Sequence, residues 1–313
     1  MKKNFKKMLV MTIAVLFISI QFPTMSYATE NTKEVNPKQI TQEEADIIND
    51  LKNTLKSNCT NYQNSLDGYE LVSIEPKFYK VTNDLTKRSE DNLEITEVSA
   101  AQFNLAKIEN ERKKFTREIP GFEYPDVNGY GCTQYIDDYM VLVTEVFRSL
   151  IDKNEFQNYV SYSWLKTPFW NLTDLLSTSV SNNMIIASDS ARYPVSESLY
   201  FDDNGNQIGK PIANTIEFAP HSNGIAVTVP SPSLVYNGGT SSGYLMCYPS
   251  FNNKTGNQDG QIVTQYVHYK IKLGDLSWDG GMPSIGLSSD VKKYQAVAPL
   301  YNYKDFNYTN TRP

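Results

Sequence analysis

The sequence holds few of the residues from which metal and nucleophilic sites are built. Its 313 residues include three cysteines and two histidines, and no Cys-x-x-Cys pair occurs. His221 and His268 lie far apart along the chain, without the spacing of a ligand pair. A structural zinc site needs four Cys or His ligands. We therefore predict no metal and no cofactor, and we assign no catalytic residue.

The scarcity of cysteine also excludes a scaffold built on disulfides, because three cysteines allow at most one internal bridge. Cys132 opens a predicted strand and Cys247 lies within another, so we expect Cys132–Cys247 if a bridge forms. Cys59 then stays free near the end of the first helix. The alternative is that these thiols are small buried hydrophobes.

The chain has an apolar run at residues 8–20 that is too short to cross a membrane, since a spanning helix needs about 20 residues. Four lysines precede the run, and Ser26-Tyr27-Ala28 follows it with small residues at the positions that a signal peptidase reads. This pattern predicts a signal peptide over residues 1–28, a secreted mature chain and no transmembrane segment. A retained anchor helix is the alternative.

The chain after the predicted cleavage site has fewer basic than acidic residues. Four of the 29 Lys and Arg residues lie in the first 28 positions, so 25 basic and 35 acidic residues remain, a net charge of −10. Nucleic acids and anionic membrane surfaces bind proteins through clustered Lys and Arg. Neither is expected as a partner.

The first 120 residues carry helical patterns. Thr41 and Glu44 form a predicted capping box at the start of a helix over residues 42–57. A second helix is predicted over residues 94–118, with Leu105 and Ile108 on an apolar stripe that packs on the domain. Pro120 marks the expected boundary between an N-terminal region, 29–120, and a main domain, 121–313.

The rest of the chain alternates with the period of β-strands. Residues 132–148 are apolar on both faces, as in a central strand that is covered on both sides. Long strands are also predicted at 156–165 and 262–273, with His268 on the more polar, outer face of the latter. Shorter strands are expected at residues 69–74, 77–81, 214–218, 224–229, 234–236, 244–248, 284–287 and 294–300. We predict a mainly β fold, an antiparallel β-sandwich with one or two N-terminal helices packed on it.

Two short segments resemble a known group of sequences. One is Trp164-Leu165-Lys166-Thr167-Pro168-Phe169-Trp170-Asn171-Leu172-Thr173-Asp174, and the other is Gln265-Tyr266-Val267-His268. Together they are similar to exported β-rich proteins of Gram-positive bacteria over about residues 130–301. The resemblance implies a β-rich exported domain and no particular activity.

Three patterns suggest chemistry and are more typical of turns and strands. Residues 239–243 have the letters G-x-S-x-G, but a nucleophile elbow needs a helix after the serine, and a strand is predicted there. Asp137 and Asp138 are neighbours in a strand and must point to opposite faces, so they cannot form a catalytic pair with each other. Residues 202–206 place oxygens at alternate positions, but a calcium loop has Gly at its sixth position and an acid at its twelfth, where Gln207 and Ala213 stand.

Tryptophan offers the best candidates for a binding site. Trp164 lies on the apolar face of its strand and is expected in the core. Trp170 follows Pro168 in a connection, and Trp278 with Asp279 lies in a predicted Gly-rich loop. Aromatic side chains in loops often anchor a partner. The sequence thus favours a secreted binding protein whose partner is cell-wall glycan or an extracellular protein. The alternatives are a secreted polysaccharide hydrolase that uses carboxylates and a pore-forming or cell-active toxin.

Overall fold

The computed structural model describes residues 39–62, 66–84, 93–117, 135–165, 173–202, 204–230, 239–253, 260–268, 276–279, 282–285 and 292–300. These segments form two helices and sixteen strands. In chain order they are α1 (Gln42–Asn58), β1 (Tyr69–Asp84), β2 (Leu93–Val98), α2 (Ala100–Arg117), β3 (Tyr135–Ser149), β4 (Phe156–Trp164), β5 (Thr173–Val180), β6 (Met184–Ile186), β7 (Val195–Phe201), β8 (Ile212–Ala213), β9 (Ile216–Phe218), β10 (Gly224–Pro230), β11 (Thr240–Cys247), β12 (Pro249–Phe251), β13 (Gly260–His268), β14 (Leu276–Asp279), β15 (Met282–Ile285) and β16 (Lys292–Leu300).

The strands form two large antiparallel sheets. A seven-stranded sheet has the order β2-β1-β3-β4-β11-β7-β8, and a five-stranded sheet has the order β16-β13-β5-β10-β9. Two further two-stranded ladders join β6 to β12 and β14 to β15. Every ladder is antiparallel. The predicted mainly β, antiparallel fold with two N-terminal helices is therefore confirmed.

The seven-stranded sheet is covered on both faces. One face packs on the five-stranded sheet, and the shared core is drawn from both of them. The opposite face packs on the two helices, with Phe103 of α2 and four residues of α1 in its core. Strand β3 is buried on both faces from Met140 to Phe147, as its two-sided apolar pattern predicts.

Helix α1 begins as its sequence predicts. The Thr41 side chain accepts a hydrogen bond from the Glu44 backbone N–H, and the Glu44 carboxylate accepts one from the Thr41 N–H, which completes the capping box. The buried stripe that faces the sheet comprises Ile47, Ile48, Leu51 and Leu55. Helix formation here is thus set by a local cap and by a face that the sheet covers.

The second predicted helix is wrong in its first turn and in its packing face. Residues 93–98 form strand β2, which pairs with β1, and the helix begins only at Ala100. Phe103 is the buried aromatic residue, whereas Leu105 and Ile108 are exposed. The stripe that we expected against the domain therefore faces solvent, because tertiary pairing with β1 shifted both the start and the buried face.

Pro76 does not divide β1 into two strands. The strand runs for 16 residues, and Pro76 pairs with Val143 of β3 within it. Strand β2 pairs with β1 only from Phe78 onwards. At Pro76, β1 is therefore an edge strand, where a residue without a backbone N–H is tolerated.

The predicted orientation of β13 is wrong. The face with Thr264 and Tyr266, which we expected at the surface, points into the interior. Ile262, Thr264 and Tyr266 are fully buried, and two of them belong to the core between the sheets. Strands β5 and β7 were missed because both contain runs of Ser, Thr and acidic residues that mask the alternation. The predicted strand at 234–236 lies outside the described residues.

Candidate functional site

Trp278 and Asp279 lie in strand β14 rather than in the predicted loop. The strand pairs only with β15 in the described part of the chain, with Trp278 opposite Pro283 and Asp279 opposite Met282. Strand β15 in turn lies against β5 and β10. This short hairpin is thus an appendage to the five-stranded sheet, joined to it by packing and not by a ladder.

Some of the other predicted site residues lie in segments that the structure does not describe. Trp170 and Cys132 lie in segments that the structure does not describe, as does the predicted signal peptide. Cys247 is a fully buried free thiol, and the Asn158 amide donates a hydrogen bond to its sulfur at 3.9 Å. Burial raises the pKa of the Cys247 thiol to about 12. The bridge to Cys132 stays a prediction.

The two neighbouring acids of β3 point to opposite faces, as the strand period requires. Asp137 accepts hydrogen bonds from Lys80 at 2.9 Å and from the Thr82 hydroxyl at 2.7 Å. Asp138 is buried on the other face. Each carboxylate therefore belongs to a different environment, and the pair has no shared reaction centre.

The G-x-S-x-G letters lie inside a central strand. Ser241 is buried in β11, where it pairs with Trp164 on one side and Tyr200 on the other, and the strand continues to Cys247 without a helix. A Cβ atom at Gly243 would lie 2.7 Å from the Glu197 carbonyl oxygen and from the Tyr162 hydroxyl. The glycine is thus explained by close packing.

The histidines and the acidic loop are not brought together. His221 occupies an exposed turn after β9 with a φ of 68°, and His268 ends β13 opposite Lys292. The Asp202 carboxylate accepts hydrogen bonds from the backbone N–H groups of Asn204 and Asn206, which closes that turn. Among the described residues, no three His, Cys, Asp or Glu side chains are grouped as metal ligands.

Two buried carboxylates on the helix-facing side of the sheet fasten α1 and the turn that follows it. Glu145 of β3 accepts a hydrogen bond from Lys52 of α1 at 2.8 Å. Glu197 of β7 accepts hydrogen bonds from the Asn61 backbone N–H and from the Tyr244 hydroxyl, each at 2.9 Å. The Glu197 contacts cannot be predicted from the sequence, since Asn61 is 136 positions away.

These two carboxylates are too far apart for glycoside hydrolysis. Three strand spacings separate β3 from β7, which places the backbones of Glu145 and Glu197 about 14 Å apart. Paired catalytic carboxylates lie about 5–10 Å apart. Both groups also have fixed hydrogen-bond donors, so their geometry is that of structural anchors.

An aromatic cluster fills the space between these anchors. The Tyr62 ring meets Tyr159 at 5.8 Å and Tyr244 at 5.0 Å, both edge to face. Burial, together with the hydrogen bond to Glu197 and its negative charge, raises the pKa of the Tyr244 hydroxyl far above its usual range. Burial likewise raises the pKa of Tyr62 and of Tyr159. These hydroxyls stay protonated at neutral pH and act as structural donors.

A group of exposed apolar side chains lies at one end of the sheets, around the turn between β3 and β4. We call it the apolar tip, and its members are Leu71, Leu150, Ile151, Ile185 and Tyr193. Ile151 is 86% exposed. These five are among eight large hydrophobic residues that are exposed in the described part of the chain.

Backbone and ion-pair contacts place the members of the apolar tip near one another. The Leu150 N–H donates to the Gly68 carbonyl at 2.7 Å, close to Leu71 on β1. Glu155, after the same turn, bridges to Ser250, which pairs with Ile185. Arg192, next to Tyr193, contacts Glu155 at 2.8 Å. These contacts bring together the segments that carry the tip and place charged groups beside them.

No helix in the described segments is both long and apolar enough to span a bilayer. The sequence matches no protein-family model and no curated protein.

Several solved structures match part of the chain at low similarity. The collagen-binding domain of a Staphylococcus aureus adhesin is 9% identical over 45% of this chain and 87% of its own length, with a TM-score of 0.24. The T6 backbone pilin of serotype M6 Streptococcus pyogenes is 11% identical over 72% of this chain and 61% of its own, with a TM-score of 0.26. The major pilin subunit BcpA of Bacillus cereus is 9% identical over 46% and 33%, with a TM-score of 0.25. Likenesses at these scores carry no argument about what this chain binds.

Proposed function

We propose that the mature chain is a secreted binding protein that acts at or outside the cell surface. The observation that carries this proposal is the apolar tip. Soluble monomers rarely expose contiguous apolar patches of more than a few hundred Å², and larger patches mark interaction sites. The predicted signal peptide at residues 1–28 supports the location.

An extracellular protein is the partner that suits the apolar tip. Interfaces between proteins have an apolar centre and a polar rim. At the tip, Ile151 and Leu150 form the centre, while the ion pairs of Glu155 with Arg192 and of Glu70 with Arg148 flank it. The centre of the tip is aliphatic, and the ring of Tyr193, its one aromatic member, packs against Phe218 with 5.8 Å between the ring centroids.

Cell-wall glycan is the ligand that we propose for the β14–β15 hairpin, with Trp278 and Asp279 as contact residues and Trp170 as a further candidate. The hairpin lies outside both large ladders, so a substitution there leaves their hydrogen bonds intact. A tryptophan ring offers a surface on which a sugar can stack. The two surfaces therefore predict two separable classes of ligand.

The experiment is retention of the mature chain on purified cell wall and capture of proteins from culture supernatant, read by mass spectrometry. We compare the native chain, a Leu150→Ser/Ile151→Ser double variant and Trp278→Ala. The matched control is Leu105→Ser, which removes an exposed leucine of α2 away from the apolar tip.

We expect the double variant to lose its protein partner, with at least a tenfold weaker affinity in a titration with the purified protein, and Trp278→Ala to lose retention on cell wall. Leu105→Ser should behave like the native chain. Equal binding by all four proteins would contradict the proposal. Turnover of a polysaccharide would favour the hydrolase, and dye release from vesicles that depends on Ile151 would favour the toxin.

A further inference from the structure

A polar layer crosses the middle of the sandwich interior. Its five side chains are Thr144, Asn158 and Cys247 from the seven-stranded sheet and Thr178 and Thr264 from the five-stranded sheet, and all are fully buried. None of them is ionised at neutral pH. Cys247 is itself a member of the main hydrophobic core, which surrounds the four other side chains.

Strand register and two hydrogen bonds from Asn158 connect the layer, one of them to the Cys247 sulfur at 3.9 Å. Asn158 lies directly opposite Cys247, and Thr178 lies directly opposite Thr264. The Asn158 amide nitrogen donates to the Thr178 hydroxyl at 3.4 Å, which joins the two sheets. Thr144 is a diagonal neighbour of Asn158 on β3, since Val146 is the residue opposite Asn158.

Aromatic residues close the layer on both sides along the strands. On one side, the Tyr266 ring lies 4.9 Å from Tyr162 and 6.1 Å from Trp164. On the other side, the Phe156 ring lies 5.7 Å from Phe251. Whatever occupies the layer is therefore separated from bulk solvent by packed rings.

Three atoms in this layer have no hydrogen-bond partner among the described residues: the Thr144 Oγ1, the Asn158 Oδ1 and the Thr264 Oγ1. Buried polar atoms without partners are rare, and each one is destabilising unless something satisfies it. The layer has no charged ligand that would hold a cation, and its hydroxyl and amide groups disfavour an apolar guest. The chemistry that fits is a small neutral molecule that both donates and accepts.

We propose that the layer is a binding site for ordered internal water. A water molecule there donates to Asn158 Oδ1 and accepts from the hydroxyl of Thr264 or Thr144, which gives it the two or more polar partners that a buried water requires. The site links the two sheets at a point where neither sheet supplies the missing partner.

The test is ¹⁷O magnetic relaxation dispersion, which counts water molecules that stay in the protein long enough to tumble with it. We compare the native chain with Thr264→Val and Thr144→Val, which keep the side-chain shape and remove one hydroxyl each. The control is Ser163→Ala, because the Ser163 hydroxyl already bonds Ser242 at 2.8 Å on the other face. Thermal unfolding identifies any variant that fails to fold.

We expect the dispersion amplitude of at least one threonine variant to fall by the equivalent of about one water, with the control unchanged. A high-resolution crystal structure should show density between Asn158 and Thr264 in the native chain. Amplitudes that are identical in the native chain and both threonine variants would overturn the proposal. So would a crystal structure in which these hydroxyls bond directly to protein atoms.

Discussion

At the scale of single residues, the sandwich depends on a short chain of hydrogen bonds between its sheets. The Trp164 indole N–H donates to the Tyr266 hydroxyl at 3.2 Å, and this hydroxyl donates to the Asp174 carboxylate at 2.6 Å. All three side chains are buried. The Tyr266 hydroxyl thereby satisfies both the Trp164 indole N–H and the Asp174 carboxylate. A buried polar group without a hydrogen-bond partner would destabilise the fold.

The change Tyr266→Phe removes this hydroxyl and keeps the ring. We expect it to lower the free energy of unfolding by about 2–3 kcal/mol, because a buried carboxylate loses a charge-assisted hydrogen bond. Urea unfolding followed by tryptophan fluorescence measures it. The control Tyr193→Phe, at an exposed ring, should cost about 0.5 kcal/mol or less. Equal values for the two variants would refute the assigned role.

At the scale of elements, α1 is fixed to the sheet by one polar anchor within the helix and a second one just beyond its C-terminal end. Lys52 contacts Glu145 within the helix, and Asn61 contacts Glu197 just beyond it. The stripe itself supplies four apolar side chains. The anchors determine where the helix lies, and the stripe provides most of the burial.

The variant Glu197→Ala leaves the Tyr244 hydroxyl and the Asn61 N–H without their acceptor. We expect about 2 kcal/mol or more of destabilisation and faster hydrogen exchange in α1 than in β3 and β4, because the helix loses its terminal anchor. Glu217→Ala, at an exposed residue of β9, is the control. Exchange mass spectrometry that shows uniform acceleration across the molecule would argue against a local anchor.

The sequence predicts the elements whose cause is local and fails where the cause is distant. The capping box of Thr41 and the two-faced apolar pattern of β3 are legible in the chain itself. The start of α2 is not, because Leu93–Val98 becomes a strand through its pairing with β1. In the sequence, Glu197 resembles an ordinary surface acid. Its role as a buried anchor depends on its contact with Asn61, which lies 136 positions away.

The candidate site follows the same division. Trp164 is confirmed in the core because strand alternation is a local property. The apolar tip was invisible in the sequence, since its members come from β1, β6 and two turns and are united only by the sheet topology. The sequence around Trp278 favours a loop, because a strand of four residues is too short to show alternation.

At the scale of the whole molecule, the buried tyrosines make the free energy of unfolding fall at alkaline pH. Burial raises the pKa of nine tyrosine hydroxyls in the described part of the chain. The increase is largest for Tyr62, Tyr159, Tyr162, Tyr200, Tyr244 and Tyr266. Their protons are held in the folded state and released near pH 10 in the unfolded state. This stabilisation is fully present below about pH 9 and is lost as the pH rises further.

We expect each of these tyrosines to lower the free energy of unfolding by about 1.4 kcal/mol per pH unit above pH 10. The protein should therefore unfold within one or two pH units above pH 10, in a cooperative transition. Absorbance of tyrosinate at 295 nm, followed with far-ultraviolet circular dichroism, measures it. If all 21 tyrosines titrate near pH 10 while the fold persists, the burial of these hydroxyls is disproved.

The anchor of α1 on Glu197 has a consequence for the order in which the chain can fold. The helix is among the first segments to be synthesised, yet its site on the sheet needs β7 and β11, which come more than a hundred positions later. Contacts between such distant segments form slowly, since the intervening loop must close first. In a nascent chain, α1 therefore cannot dock stably until β7 and β11 have been synthesised. This delay suits a polypeptide whose leader, as predicted, directs it through a translocation channel that admits only unfolded chains.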